Sequence, residues 1–527
     1  MQLTTRQNIS IALGIISLFG IIQSLMVWNG GRNGVFNSPD ANANYYFAQR
    51  VFEGKGLGMG LPEPALDAHT FLYTRSTRVL QNMLVPSGFT GLVVLYGFAN
   101  RLFFLNLTVF WTVLAACAGM WAFYRLTTRY FSRGTGLFSL FFLAVHPAWW
   151  YYTNDSLFPN VLFVSLILIA FWLLYEITTS PDARWYVYGG VGFFFAAALL
   201  VRSTEFVWIT PLLIFILWRY WSILKKNMMV FSFAIAISVI MLCIAYIRLT
   251  SPLTTPFGYA FDGVRVATGA GLGSPFSFHP KLLVVNSWNY LFRIFWPYTL
   301  LFILSVALLW RSASTQLRAL LYPLVYVTLA LVLTYGSWRI MDSPDPGQVT
   351  IGTSFVRYFL PVYLLALPVI AEGFMRFREQ MSAFVRHAVT SALLIGLAVF
   401  MYTTAIVGSP ESIVSKYGTL RTYDAVAGWV ISHTPGNSII IANKSDKYLW
   451  PKRLVISDVA RPEAAAALRE IVETEETPVF YIGETMTTEV RKKINDVWNT
   501  AGIDIGESLY ASGSISVYAA RVRNNNE

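Results

Sequence analysis

Ser38-Pro39-Asp40-Ala41-Asn42-Ala43-Asn44-Tyr45-Tyr46-Phe47-Ala48-Gln49-Arg50 gathers more polar chemistry than any other short stretch of this sequence. Ser38 suits a helix N-cap and Pro39 the first helical position, so Asp40 opens a helix and Asn44 lies one turn further along the same face. On local grounds alone Asp40 complements the helix dipole. Asn44 and Tyr45 are the amide and the ring that such a helix would offer a substrate. A second carboxylate, Asp155, ends the run His146-Pro147-Ala148-Trp149-Trp150-Tyr151-Tyr152-Thr153-Asn154-Asp155, and its place beside Ser156 also suits an N-cap for the helix that follows. A divalent metal shared by Asp40 and Asp155 through oxygen ligands is left open, because two carboxylates far apart in sequence carry no fixed ligand spacing.

Cationic groups supply the other half of the inventory. Arg202, in Val201-Arg202-Ser203-Thr204-Glu205, can hold a phosphate with a forked, charge-assisted contact, or it can pair with Glu205 inside the same turn. Glu205 is then either a substrate contact or a structural counter-ion. Arg357 and Tyr358, in Phe355-Val356-Arg357-Tyr358-Phe359-Leu360-Pro361, suit phosphate binding or a snorkelling arginine beside an interfacial tyrosine. His279 and Lys281 are further candidates for substrate contact, although a loop histidine is usually solvated. Trp150, in the aromatic run 149–152, can stack on a sugar face or belong to an aromatic belt at the membrane interface. Trp450, Lys452 and Arg453 offer a smaller basic and aromatic group.

These residues need a scaffold, and composition says which kind. The 527 residues are 55% hydrophobic and only 13% charged, a balance suited to an integral membrane protein. The net charge of +11 comes from basic residues spread in short groups between apolar runs, which argues against nucleic acid as a partner. Cys117 and Cys243 both sit inside apolar runs and form no metal or disulfide framework. At roughly 20 apolar residues per span, about eleven spans are expected, at 8–27, 102–123, 134–149, 157–175, 186–201, 206–218, 228–247, 290–310, 317–335, 355–374 and 388–407. The first reads as an uncleaved anchor. Placing the amino terminus inside puts Arg125, Arg129, Arg133, Arg184, Arg219, Lys225, Lys226, Arg311, Arg318, Arg376, Arg378 and Arg386 on cytoplasmic connections, as the positive-inside rule requires. The polar connections at 28–101, 149–156, 248–289 and 337–354 then lie outside, and the odd span count sends the tail there too.

Within the first outer loop, 71–84 is expected to form an amphipathic helix and 88–100 a re-entrant or interfacial segment. Two domains are expected: a membrane module over 1–408, with the large loop 28–101, and a soluble one over 409–527. The tail alternates helix and strand, with helices at 424–432, 463–472 and 487–500 and strands at 437–442, 453–457, 478–483 and 514–521. That pattern predicts a small α/β domain with a partly parallel sheet, able to hold its own core and to serve as a binding module or as a cap. It carries no phosphate-binding glycine fingerprint.

The first loop, the Arg357-Tyr358 segment ending in Pro361, and the tail's Trp429-Val430-Ile431-Ser432-His433-Thr434-Pro435-Gly436 opening resemble the GT-C superfamily of polytopic glycosyltransferases, which take sugars from polyprenyl-phosphate carriers. The resemblance covers most of the chain. It implies a polytopic α-helical membrane protein with a small extracytoplasmic α/β domain. It also implies that Asp40 deprotonates or orients an acceptor hydroxyl and that Asp155 is the second acid of the site, binding sugar hydroxyls or sharing a metal. Arg202, Arg357 and Tyr358 would hold the donor phosphate. The expected reaction moves a sugar, with inversion, from a polyprenyl-phosphate donor to a glycan, lipid or protein acceptor, at the outer face of the plasma membrane. The Trp-Trp-Asp signature of the oligosaccharyltransferase branch is not found, so en-bloc transfer to asparagine is not expected. A lipid or sugar transporter, which would show charges at the bilayer midplane and repeated broken helices, and a non-catalytic relative that binds lipid-linked sugar are the competing readings.

Overall fold

The computed structural model describes residues 4–31, 34–60, 71–80, 83–88, 90–179, 184–221, 232, 235–240, 279–310, 315–338, 340, 342, 348–408, 410–442, 444–456, 462–499 and 502–522. The chain divides into two compact units. One takes in Met1–Val27, Phe110–Arg248 and Thr255–Ser415, and the other joins Trp28–Val109 to Lys416–Glu527.

The first unit is helical. Among the described residues five helices are long and apolar enough to cross a membrane: Thr5–Gly30, Pro159–Thr179, Leu317–Tyr335, Leu360–Glu379 and Ala383–Val407. Two bent pairs, Trp185–Val201 with Ser203–Arg219 (114°) and Pro280–Arg293 with Trp296–Leu309 (85°), raise the number to seven if each counts as one span. The chain is thus a multi-pass membrane protein, but several of the eleven expected spans differ in form. The apolar run at 102–123 begins at the end of one helix and continues only in Trp111–Tyr130 after a turn. The run at 134–149 breaks at Val145, because Pro147 restricts the residue before it and opens a new helix, Pro147–Asn154. The span expected at 228–247 lies mostly outside the described residues. Small residues let the helices close up: a Cβ on Gly119 would meet Ser165 Oγ at 2.6 Å, and one on Gly373 would meet Ser305 at 2.4 Å.

The second unit contains the helix Pro39–Phe52, N-capped by Ser38 with Pro39 at its start, as the sequence predicts. The residues after it depart from expectation. In place of an amphipathic helix at 71–84 there are strands β2 (Thr77–Leu80) and β3 (Met83–Pro86), which with β1 (Met59–Gly60) form an antiparallel sheet in the order β1-β3-β2. Backbone pairing decides here, since Thr77 to Leu80 take partners from Pro86 to Met83. The segment at 88–100, expected to be re-entrant or interfacial, belongs to the regular helix Thr90–Phe103, seated on Pro39–Phe52. A Cβ on Gly97 would meet Val51 at 2.5 Å and the Ala48 carbonyl at 2.7 Å.

The tail contributes the helix Ile413–His433 and strands β4 (Ile439–Ala442), β5 (Leu454–Ile456), β6 (Val479–Glu484), β7 (Ile503–Ser512) and β8 (Ile515–Val522). The sheet runs β5-β4-β6-β8-β7, parallel across its first three strands and antiparallel across the rest. Its helix-covered core includes Ile439, Ile441, Leu468, Ile471, Ile503 and Tyr518, and also Leu72 of the first loop. The loop and the tail therefore share a core. Strand β7 escapes the sequence pattern because its alternation is broken by a register shift between Ile505 and Tyr510.

Candidate active site

In the second unit Asp40 sits half-buried in the first turn of Pro39–Phe52, where the Ser38 hydroxyl accepts the Asp40 N–H at 3.2 Å. Its carboxylate is held from outside the helix, because Ser76 Oγ donates to Asp40 Oδ1 at 2.5 Å. Asn44 is buried on the same helix, and Tyr45 packs its ring against Phe36 at 5.1 Å. Asn42 donates to the Trp450 carbonyl at 2.7 Å, and Tyr46 meets the Trp450 indole edge-on at 4.7 Å. Arg453 is spent on the end of a helix, donating to Ile431 O, Thr434 O and Thr434 Oγ1. Burial and the neighbouring Arg75 guanidinium push the Lys447 amine down to about 8.

In the first unit the polar residues converge on the turn and short helix at 350–358. Arg357 Nη2 donates to Ser354 Oγ at 2.7 Å, and its guanidinium lies 4.1 Å from the centre of the Phe158 ring. The Asp342 carboxylate accepts both the Ser354 N–H, at 2.9 Å, and the Ser354 hydroxyl. Tyr152 pins the same turn by donating to the Thr353 carbonyl at 2.9 Å, and Asn160 donates to the Arg357 carbonyl at 3.1 Å. Thr350 donates to Glu411. Burial, with repulsion from Asp342 and Asp155, raises the Glu411 carboxyl above its ordinary range, against the hydrogen bonds from Thr350 and from the Gly352 N–H. Gly352 permits that approach, since a Cβ there would meet the Glu411 carboxylate at 2.7 Å.

Asp155 does not cap the helix after it. It ends Pro147–Asn154, its N–H donating to Tyr151 O at 2.8 Å, and the next helix starts only at Pro159. Arg202 is found in the intramolecular pair. At the corner of the bent helix pair Glu205 accepts from Arg202 Nε at 2.9 Å and Nη2 at 2.5 Å, and also from Tyr335 OH at 2.7 Å and Trp208 Nε1 at 2.5 Å. The Arg202 guanidinium also lies over the Tyr358 ring at 5.2 Å, and Tyr358 stacks on Tyr335 at 4.5 Å. Arg202, Glu205 and Tyr358 thus form one cluster, and Tyr358 adjoins Arg357 along the chain. Trp150 is buried, with its indole N–H on the Ala144 carbonyl and its ring edge-on to Phe19, so its ring is occupied by protein packing. His279 is exposed at the start of Pro280–Ser287, apart from these clusters in its bonding, with its N–H on Ser337 Oγ.

This architecture has solved counterparts. ArnT from Cupriavidus metallidurans, solved bound to undecaprenyl phosphate, is similar over 96% of this chain and 98% of its own, with a TM-score of 0.53 at 11% identity. The apo oligosaccharyltransferase of Archaeoglobus fulgidus is similar over 90% of this chain and 69% of its own, with a TM-score of 0.52 at 12% identity. The chain shares its fold with these two proteins.

Residues 93–246 also match the family model described as dolichyl-phosphate-mannose-protein mannosyltransferase. No curated protein matches the chain by sequence. Four further groups stand beside the expected residues: Ser76 on Asp40, Ser354 on Arg357, Asp342 on Ser354, and Glu411 on Thr350. Asp342 was legible only as a lone acid in an expected outer connection, and Ser76 only through a pairing 36 residues long. Among the described residues no three His, Cys, Asp or Glu side chains converge as a metal site.

Proposed function

We propose that this GT-C protein transfers a sugar from a polyprenyl-phosphate donor to a glycan, lipid or protein acceptor on the outer side of the plasma membrane. The observation that carries the reading is the likeness to ArnT over nearly the whole of both chains, because that protein was solved with undecaprenyl phosphate bound. The family model matched at 93–246 is likewise named for a sugar on a polyprenyl phosphate. The distribution of Lys and Arg over the connections supports the outward orientation of both the site and the tail.

In this reading the acceptor O–H gives its proton to Asp40 as the acceptor oxygen forms a bond to the anomeric carbon. The bond from that carbon to the phosphate oxygen breaks, and polyprenyl phosphate leaves with the electron pair. A single displacement of this kind inverts the anomeric centre. Ser76 holds Oδ1 of Asp40, which presents Oδ2 to the acceptor. Arg357, set by Ser354 and by the Phe158 ring, is the group for the donor phosphate, with Tyr358 and Arg202 behind it. Asp155 supports the sugar hydroxyls. Each role rests on chemistry within its own unit.

Purified protein in lipid nanodiscs, given polyprenyl phosphates carrying radiolabelled mannose or other single sugars together with an envelope extract as acceptor, tests the reading. Labelled product of inverted anomeric configuration and an equal amount of free polyprenyl phosphate are expected. Survival of every donor intact would overturn it. A transporter is the second reading, favoured by the two bent helix pairs. It predicts that the lipid-linked sugar crosses a sealed vesicle with its phosphate bond unbroken.

A further inference from the structure

Asp446, in the tail, is wholly buried and accepts four hydrogen bonds from two consecutive residues of the first loop. Thr74 Oγ1 and the Arg75 backbone N–H each donate to Oδ2 at 3.1 Å. The Arg75 guanidinium adds a fork, Nε to Oδ2 and Nη2 to Oδ1, both at 3.0 Å. A buried carboxylate satisfied in this way fixes the turn that surrounds it, because losing one of these bonds withdraws a partner from a charge shut away from water. The residue that follows in the loop is Ser76, whose hydroxyl donates to Asp40 Oδ1 at 2.5 Å.

Four positions after Asp446, Trp450 grips the helix that bears Asp40. Its carbonyl accepts from Asn42 Nδ2 at 2.7 Å, and its indole packs against Tyr46 and Phe47 with centroids at 4.7 and 6.0 Å. A five-residue stretch of the tail therefore holds both partners of the Ser76–Asp40 contact, one at each end. The chain between those partners is 35 residues long and would not by itself bring a serine hydroxyl to one chosen oxygen.

We propose that residues 446–450 position the base: Asp446 sets the 74–76 turn and Trp450 sets the helix, so that Ser76 locks the Asp40 carboxylate in the orientation that receives the acceptor proton. This rests on the reading of Asp40 as the base. Asp446 is a positioning residue and touches no reacting atom. Its action on turnover runs through Ser76, which separates it from a residue that merely holds the fold.

A double-mutant cycle on transfer kinetics reads that difference. Asp446→Asn keeps the shape of the side chain but cannot accept the Arg75 fork on both atoms. A base misplaced by about an ångström costs on the order of tenfold to a hundredfold in rate, so kcat is expected to fall by that amount with the donor KM within about twofold. Ser76→Ala is expected to cost a similar factor. In the Ser76→Ala background Asp446→Asn should add less than about threefold, because the contact it supports is already gone. Full multiplication of the two losses, or an effect on KM alone, would overturn the positioning role. Should Asp446→Asn not yield folded protein, Thr74→Val carries the same cycle, since it removes one of the four donors and leaves the charge paired. Absence of transfer by the unaltered protein would overturn the functional reading itself, an outcome distinct from multiplying losses in an active enzyme.

Discussion

At the scale of single residues, electrostatics in dry surroundings dominates. Arg202 and Glu205 are both nearly inaccessible, at 6% and 3% of side-chain surface, and Glu205 accepts four hydrogen bonds from three residues. Glu205→Gln would leave the Arg202 charge without a counter-ion, a change that costs about 3–5 kcal/mol in buried pairs. Thermal unfolding in detergent should show the loss, and the paired replacement Arg202→Met with Glu205→Leu should recover most of it. If Arg202 also serves the donor phosphate, that recovered protein will fold yet bind donor poorly. Glu411 makes a prediction in pH. Its carboxyl is raised in the folded protein by burial and by Asp342 and Asp155, so between the ordinary carboxylate range and the raised value the native state binds more protons than the unfolded chain. Stability therefore falls as pH rises through that window, and Glu411→Gln should flatten the slope. A melting series across the acidic range checks both. The Arg202–Glu205 pairing was legible as one of two readings, since three residues of a tight turn fix it locally. The chain of bonds from Arg357 to Ser354 and from Ser354 to Asp342 was not, because nothing in the sequence brings position 342 to 354.

Among elements, what could be read depended on whether the information was local. Ser38, Pro39 and Asp40 spell a helix start within three residues, and the structure has it there. The hairpin of β2 and β3 does not announce itself: Arg75 and Arg78 among apolar residues fit helical spacing, and only the partner strand decides for extended chain. Spans were counted by apolar length, which is blind to breaks. Pro147 and the Arg202 corner turn apolar runs into bent or divided helices, and at the first of them His146 Nδ1 accepts the freed Ala148 N–H. Close packing fixes the orientation of the helix that carries Asp40. Gly97→Val would drive a side chain into Val51 and the Ala48 carbonyl, and overpacking of this kind costs about 1–3 kcal/mol. The expected result is a lower melting temperature together with lost turnover; full activity at unchanged stability would show that the contact between Thr90–Phe103 and Pro39–Phe52 does not set the site.

For the molecule as a whole, class and fold were open to reading from composition and motif, whereas the partnership of loop and tail was not. The first loop shares its compact unit with the tail, through Leu72, Asp446 and Trp450. Separations of nearly 400 residues leave no trace in a single sequence. The proposed reaction is one in which a carboxylate of the first loop takes the acceptor's proton as the sugar leaves a lipid phosphate. Its most direct test is the rate at which polyprenyl phosphate is released from a radiolabelled polyprenyl-phosphate sugar by the unaltered protein and by Asp40→Asn at equal thermal stability. Steady release is expected from the first and a fall of at least about a hundredfold in the second, as general-base loss gives; equal rates from the two would remove Asp40 as the base.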